Sequence, residues 1–326
     1  MTPSDIPNHW YNFSGAQVAK QQIENDIANK RYNPMNDVLF KFIFGRDERK
    51  NITIDLLNTI LNRTGNRAIK NIQFKNSEIV PYYEGDKLTR LDIFCITEDE
   101  TKIDVEVQLI NKKDMERRSL FYWSQMYLMG LNKGEDYITL NPAITINIMG
   151  HEIFPNEPLH SMYSIYNIET GRRLNDDLEL HFLEVPKFQK KPIGEMTRME
   201  RWLAYFSNKL NTEEMEELAM SDATIKKAVN DTDIFMMDFE ERLKYINRQM
   251  AIMDYNTDMR VSREEGHKAG LEEGHKAGLE EGHKAGLEEM AIDMALAMLR
   301  DSKPIKEIAK YTKLPPERIQ ELAKQV

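Results

Sequence analysis

The chain has a single cysteine, Cys95, so no disulfide bond can form within it. No stretch approaches the roughly 18 consecutive apolar residues that span a bilayer. The opening residues MTPSDIPNHWYNFSGAQ lack the basic segment and apolar run of a secretion signal. We therefore expect an intracellular, cytoplasmic protein without a membrane partner.

Positive charge is also scarce, with 44 basic residues against 54 acidic ones and a net charge of −10. No overall positive field therefore attracts nucleic acid, although a basic surface can still be local. The chain has 326 residues, of which 41% are hydrophobic. That is enough for two domains, or for one domain with appendages.

Hydrophobic periodicity predicts the order of the elements. Short helices are expected over residues 33–45 and 51–65, each ending at a glycine, followed by a strand in AIKNIQFKNSEIVPYY. A hairpin, the long amphipathic helix KKDMERRSLFYWSQMYLMGLNKGEDY and the β-branched strand AITINIMG follow. The order helix, three strands, helix, strand predicts an α/β core.

The remaining sequence divides by composition. Further strands are expected in SMYSIYNI and LELHFLEVPKF, and helices from about Thr197 to Met259. We predict the following division: an N-terminal arm over 1–32, an α/β domain over 33–195, a helical region over 196–262, an octad-repeat segment over 263–289 and a small helical module over 290–326.

The hairpin LTRLDIFCITEDETKIDVEVQL spans residues 88–109 and carries the candidate chemistry. If its turn is centred on Asp99, Asp92 and Glu106 are directly opposed, with Cβ atoms about 5 Å apart on one face. Gln108 lies on that same face, because side chains alternate with a period of two. Two carboxylates and a backbone carbonyl suit Mg²⁺ or Mn²⁺. Such an ion can activate water for phosphodiester hydrolysis.

A second interpretation fits the same residues. The run KIDVEVQL alternates apolar and polar side chains, as any half-exposed antiparallel strand does. The spacing of Asp92, Glu106 and Gln108 alone does not decide between a solvated sheet surface and a metal site.

The wider sequence resembles the PD-(D/E)XK nuclease family transposases, also called the Rpn family of recombination-promoting nucleases. The resemblance covers about residues 33–260. It rests on segments in the right order: NDVLFKFIFG, KLTRLDIFCIT, IDVEVQL, RRSLFYWSQMYLMGLNKGEDY, NPAITINIM, LHFLEVPKF and RWLAYF. It implies a restriction-endonuclease-like core and Mg²⁺-dependent (or Mn²⁺-dependent) DNA endonuclease activity, linked to recombination, mobile elements or defence against foreign DNA.

The resemblance also implies roles for individual residues. Asp92 and Glu106 are the expected metal ligands, and Gln108 occupies the position of the superfamily's catalytic lysine. Asp37 is a further acidic candidate. Candidates for contact with DNA come from the first motif and the helix after the hairpin: Lys41, Arg117, Arg118, Tyr122, Gln125 and Tyr127. Of these, Arg118, Tyr122 and Gln125 form one helical stripe.

The glutamine at position 108 keeps an alternative open. The chain could be a weak or inactive nuclease-fold protein that acts through oligomerisation or by regulating a homologue. RNA or nucleotide substrates also remain open.

Three identical EEGHKAGL octads occupy residues 264–287, with glycine at every fourth position. Each helical glycine costs about 1 kcal/mol relative to alanine, whereas each Glu–Lys pair four residues apart returns only about 0.2–0.5 kcal/mol. An isolated helix should therefore be marginal. We expect a helix–helix contact, between copies of the chain, and the alternative is a solvated spacer. The eight-residue spacing of His267, His275 and His283 argues against a metal site.

The tail PIKEIAKYTKLPPERIQELA predicts two short helices joined at Thr312–Leu314, as in a helix-turn-helix. From Arg300 onward, seven basic residues face four acidic ones. DNA positioning is one interpretation of this module, and packing or oligomerisation is the other.

Overall fold

A computed structural model describes residues 8–79, 89–131 and 134–325. The strands in this part of the chain are β1 (Ile72–Phe74), β2 (Glu78–Ile79), β3 (Thr89–Arg90), β4 (Ile93–Thr97), β5 (Lys102–Gln108), β6 (Ala143–Met149), β7 (His160–Tyr163) and β8 (Leu178–Glu184). The helices are α1 (Asn8–Ala28), α2 (Asp37–Phe44), α3 (Lys50–Ile60), α4 (Met115–Leu128), α5 (Arg198–Ser207), α6 (Thr212–Ser221), α7 (Ala223–Met237), α8 (Phe239–Arg300), α9 (Ile305–Thr312) and α10 (Pro316–Ala323).

Six strands form one mixed sheet in the order β1-β4-β5-β6-β8-β7. Strand β4 is antiparallel to β1 and β5, whereas β5, β6 and β8 run parallel to one another. Apart from the short strands β2 and β3 between β1 and β4, the elements α3, β1, β4, β5, α4 and β6 come in the order helix, three strands, helix, strand. The predicted α/β fold is confirmed: a restriction-endonuclease-like core precedes a helical C-terminal region.

The centre of the sheet is buried on both faces. All seven residues of β6 are buried, and its β-branched run AITINIM is typical of a central parallel strand. Helices α2, α3, α5 and α7 supply much of the core, with aromatic rings such as Phe40, Phe44, Trp202 and Phe206 in mutual contact. This packing holds α2 beside the start of β4.

Several predicted elements differ in extent from the structure. The long amphipathic helix is shorter, as α4, and the strand expected in SMYSIYNI ends at Tyr163. The segment AIKNIQFKNSEIVPYY is not one strand, because residues 75–77 separate β1 from β2, and β2 pairs with β3 in its own two-stranded sheet. Residues 80–83 of that segment lie outside the described residues. Helix α3 ends at Ile60, before the predicted stop at Gly65, because Asn62 adopts a left-handed conformation with φ of 49°.

The N-terminal arm contains helix α1, which the weak sequence pattern did not indicate. Ile23 is buried in the main core and Ile27 is packed against it. Because so few of the described side chains of α1 reach the core, its sequence shows little hydrophobic periodicity.

The chain divides into two compact units, the first ending at Asn256 and the second beginning at Thr257. Helix α8 is continuous across this boundary and includes all three octads. In the second unit, the end of α8 packs with α9 and α10 around Ala295, Ile308, Ile319 and Leu322. Lys313, with φ of 59°, makes the turn between α9 and α10, as the tail pattern predicted. None of the described helices is both long and apolar enough to cross a membrane.

Candidate active site

The hairpin has the register that opposes Asp92 and Glu106. Ile93 pairs with Val105 and Cys95 with Ile103, so the two strands are centred on Asp99. One step beyond the paired residues, the Asp92 N–H donates to Glu106 Oε1 at 2.8 Å. In return, the Val107 N–H donates to Asp92 Oδ2 at 3.1 Å. These two hydrogen bonds fix both carboxylates at the end of the hairpin.

The polar face of β5 is not a solvated surface. Asp104 is 0% exposed and Glu106 4% exposed. Helix α4 packs over the neighbouring strand β6, where the Ser119 hydroxyl donates to Asn147 Oδ1 at 3.1 Å. Burial of carboxylates is costly unless they are compensated. The alternation of polar and apolar side chains in a half-exposed strand therefore does not account for this face.

Asp104 is a member of this face that the sequence pattern did not single out. It forms, with Asp92 and Glu106, a carboxyl cluster whose three members interact electrostatically. Neither Asp104 oxygen has a hydrogen-bond partner among the described residues, and the same holds for Thr145 Oγ1 on the paired strand. The signal was available, because Asp104 shares the period-two face of Glu106.

Two basic side chains compensate part of the negative charge. Lys41 Nζ, from α2, lies 2.9 Å from Asp92 Oδ1. Arg118, from α4, places a guanidinium nitrogen 3.3 Å from Glu106 Oε2 and donates to Gln108 Oε1 at 2.7 Å. The structure therefore brings Lys41 and Arg118 together with the three residues of the predicted site.

The carboxyl cluster has a strongly perturbed acidity. The pKa of Glu106 is raised to about 8, first by burial and then by the nearby Asp92 carboxylate, against the attraction of Arg118. Burial is also the main cause that raises the pKa of Asp104 well above its usual value, followed by the charges of Glu106 and Asp92. Lys41 and Arg118 thus do not offset the cost of burial, and a further cation would favour the ionised carboxylates.

The remaining candidates have different surroundings. The Tyr122 ring centre lies 5.6 Å from the Arg118 guanidinium carbon. Burial and, next, the charge of Glu106 raise the pKa of Tyr122 to about 12. Gln125 is partly exposed and hydrogen-bonds to none of the site residues described above. Tyr127 donates to Asp177 Oδ2 at 2.8 Å.

Asp37 lies beside the site and not within the carboxyl cluster. Its Oδ1 is 2.6 Å from Nε of Arg248, a residue of α8. Asp37, Gln108 and Arg248 line a cavity of about 30 Å³. Arg248 was missed because 211 residues separate it from Asp37 and no local pattern marks it.

The donor chemistry fits a hard divalent cation. Mg²⁺ is commonly held by one or two carboxylates together with waters, and Asp92 and Glu106 are two carboxylates fixed together. Two residues from Glu106 on the same face of β5, Asp104 has two buried oxygens without partners among the described residues. In the part of the chain that is described, no group of three or more His, Cys, Asp or Glu side chains has the arrangement of a metal site.

A family model described as PD-(D/E)XK nuclease family transposase matches residues 34–262. No curated protein and no solved structure shows significant similarity to the chain. The family match covers well over half of the 326 residues and includes every element around the carboxyl cluster. The fold and this match agree, and the chain belongs to the PD-(D/E)XK nuclease family transposases.

Proposed function

We propose that the chain is a metal-dependent DNA endonuclease that hydrolyses phosphodiester bonds, in recombination, mobile-element transfer or defence against foreign DNA. The observation that carries the proposal is the reciprocal pair of hydrogen bonds between the Asp92 and Glu106 segments, 2.8 Å and 3.1 Å long, at a buried acidic site flanked by two cations.

Asp92 and Glu106 would hold the metal ion, Mg²⁺ or Mn²⁺. Such an ion would supply an activated water and a polarised phosphoryl oxygen. Lys41 and Arg118 are the basic groups next to these carboxylates, so a scissile phosphate placed there meets positive charge from both α2 and α4.

Gln108 carries no charge, and its role is to position the Arg118 side chain. Its Nε2 donates to the Ile110 carbonyl at 2.6 Å, and its Oε1 accepts from Arg118. Gln108 therefore orients the Arg118 guanidinium between itself and Glu106. The positive charge that a lysine would supply at position 108 comes instead from Lys41 and Arg118.

A plasmid-nicking assay tests the proposal. Supercoiled DNA is incubated with the wild-type chain in Mg²⁺, Mn²⁺ or EDTA, and with Asp92→Asn and Glu106→Gln. We expect nicking only with metal. Both variants should lose nicking activity by at least about 100-fold, because even the loss of a group that only orients a metal ligand costs about 10- to 100-fold. Glu213→Gln, at an exposed acid of α6, is the matched control.

Equal nicking by all four proteins would contradict the endonuclease proposal. Absence of nicking with every metal would favour the weak or inactive nuclease-fold alternative. Calorimetric titration with Mn²⁺ separates these outcomes further, because binding lost in Asp92→Asn would locate the metal without any cleavage.

We also propose that the octads join copies of the chain. Their leucines Leu271, Leu279 and Leu287 are all more than half exposed. A Cβ atom added at any of the six octad glycines would meet nothing within 4 Å. Because these glycines destabilise a lone helix, contact with a second copy is the expected compensation. Deleting residues 264–287 should lower the mass measured by light scattering, and an unchanged mass would contradict this proposal.

A further inference from the structure

Helix α9 and the residues at its two ends carry four lysines, Lys303, Lys306, Lys310 and Lys313, that are all exposed. We call them the lysine face. Lys306 and Lys310 are four residues apart, which places them on the same side of the helix, about 6 Å apart along its axis.

The lysine face points away from the core of its unit. On the other side of α9, Ile308 and Thr312 are buried, and Ile308 belongs to the same cluster as Ile319 and Leu322 of α10. Helix α9 cannot rotate without exposing Ile308, so its basic side is held toward solvent.

The charges of the lysine face are not used within the described structure. None of its four ammonium groups forms an ion pair with a described residue, whereas Arg318 of the neighbouring α10 is 2.7 Å from Glu321. The Lys310 ammonium lies 5.9 Å from the ring centre of Tyr311, which is 60% exposed. Lysines clustered on one side of a helix are a feature of surfaces that bind nucleic acid.

The lysine face lies in a basic part of an otherwise acidic chain. The net charge is −10, yet basic residues outnumber acidic ones by seven to four from Arg300 onward. The eight residues of α9 extend about 12 Å, and one strand of a DNA duplex presents about three to four phosphates over that length. The dimensions and charge of the lysine face thus match a phosphate backbone.

We propose that the lysine face binds the phosphate backbone of duplex DNA, independently of sequence. This inference rests on the proposed function, which makes DNA the substrate. Contact with phosphates positions a protein without reading bases. Helix α10 carries Glu317 and Glu321, and Arg318 is paired with Glu321, so the second helix of the motif offers little positive charge to the major groove.

The test measures binding without cleavage. Fluorescence anisotropy with a labelled DNA duplex in EDTA compares the full-length wild type with the triple variant Lys306→Gln, Lys310→Gln, Lys313→Gln. The matched control removes three exposed charges outside both the lysine face and the octads, as Lys70→Gln, Lys226→Gln, Lys227→Gln. A third variant is Lys306→Arg, Lys310→Arg, Lys313→Arg.

We expect the lysine-face variant to bind at least tenfold more weakly at low salt, and the control and arginine variants to bind as the wild type does. The slope of log affinity against log salt should fall by about 0.9 for each phosphate that the protein no longer neutralises. Equal binding by the lysine-face and control variants would overturn the proposal. So would weaker binding by the arginine variant, or tighter binding to an RNA duplex or to anionic vesicles than to DNA.

This outcome is separable from that of the nicking assay. If the endonuclease proposal fails, binding in EDTA still distinguishes the lysine-face variant from its control. If the lysine-face proposal fails, metal-dependent nicking by the wild type is unaffected.

Discussion

At the scale of single residues, the site consists of carboxylates whose charge is offset in part by two basic side chains. Asp92 and Glu106 are fixed by backbone hydrogen bonds, and Lys41 and Arg118 each contact one of them. Asp104 remains buried without a hydrogen-bond partner among the described residues. Arrangements of this kind are costly for folding and are typical of functional sites.

Lys41 offers a direct test at this scale. We expect Lys41→Met to lower metal-dependent nicking by about 10- to 100-fold, because it removes a positive charge from the proposed phosphate site. Lys41→Arg should restore part of the activity. Rates of nicking under saturating Mg²⁺ measure the effect, with Lys227→Met, at an exposed lysine of α7, as the control. Equal rates for Lys41→Met and Lys227→Met would exclude this role.

At the scale of elements, α2 positions Lys41 and is itself held by the residue that caps it. The Asn36 side chain accepts hydrogen bonds from the N–H groups of Val38 and Leu39, and its Nδ2 donates to the Tyr245 carbonyl at 3.3 Å. Asn36 is completely buried. This one side chain therefore joins the start of α2 to helix α8.

Asn36→Ala should destabilise the fold by about 2 kcal/mol, because the variant lacks both a helix cap and a buried hydrogen bond. Chemical denaturation measures the change in the free energy of unfolding. Asn211→Ala removes the exposed cap of α6 and should cost only about 1 kcal/mol. A smaller destabilisation by Asn36→Ala than by Asn211→Ala would contradict this account.

The pairing of β7 with β8 should make stability depend on pH. His160 Nε2 and His181 Nδ1 are 3.0 Å apart. Burial, and then His181, lower the pKa of His160 to about 4, whereas an unfolded histidine titrates near 6.5. As the pH falls from 6.5 toward 4, the unfolded chain takes up a proton that the folded chain does not, so stability is lost.

Between pH 7 and pH 5, the titration of His160 should lower the free energy of unfolding of the wild type by about 1 kcal/mol, after allowance for partial exposure of the ring. His160→Gln removes the titrating group and should lose correspondingly less stability over that interval. The free energy of unfolding of both proteins at the two pH values provides the measurement. Parallel pH profiles would show that His160 does not contribute.

At the scale of the whole molecule, α8 carries six octad glycines, all of them within the second unit. Gly270→Ala with Gly278→Ala should stabilise the helix of a single chain by about 1 kcal/mol per site. If the glycines face a second copy, the added methyl groups should also separate the copies, and the mass of the assembly in solution should fall. Circular dichroism melting and light scattering measure the two effects, and Glu265→Ala serves as the control. A higher melting temperature at unchanged mass would place the interface elsewhere.

Much of the fold follows from local pattern. Strands β4, β5 and β6 and helix α2 were predicted close to their observed bounds, and α4, α9 and α10 were predicted as helices, because periodicity and turn residues act between near neighbours in the chain. Helix α1 and the break between β1 and β2 were not predicted, since they depend on how short segments pack against the rest.

The sequence by itself determined the hairpin register that opposes Asp92 and Glu106, since a turn centre and a period of two are local properties. Only the tertiary structure decided that this face is buried, that Lys41 and Arg118 both reach it, and that Arg248 pairs with Asp37. The reason is physical: burial and ion pairing depend on α2, α4 and α8, which approach the hairpin from distant parts of the chain.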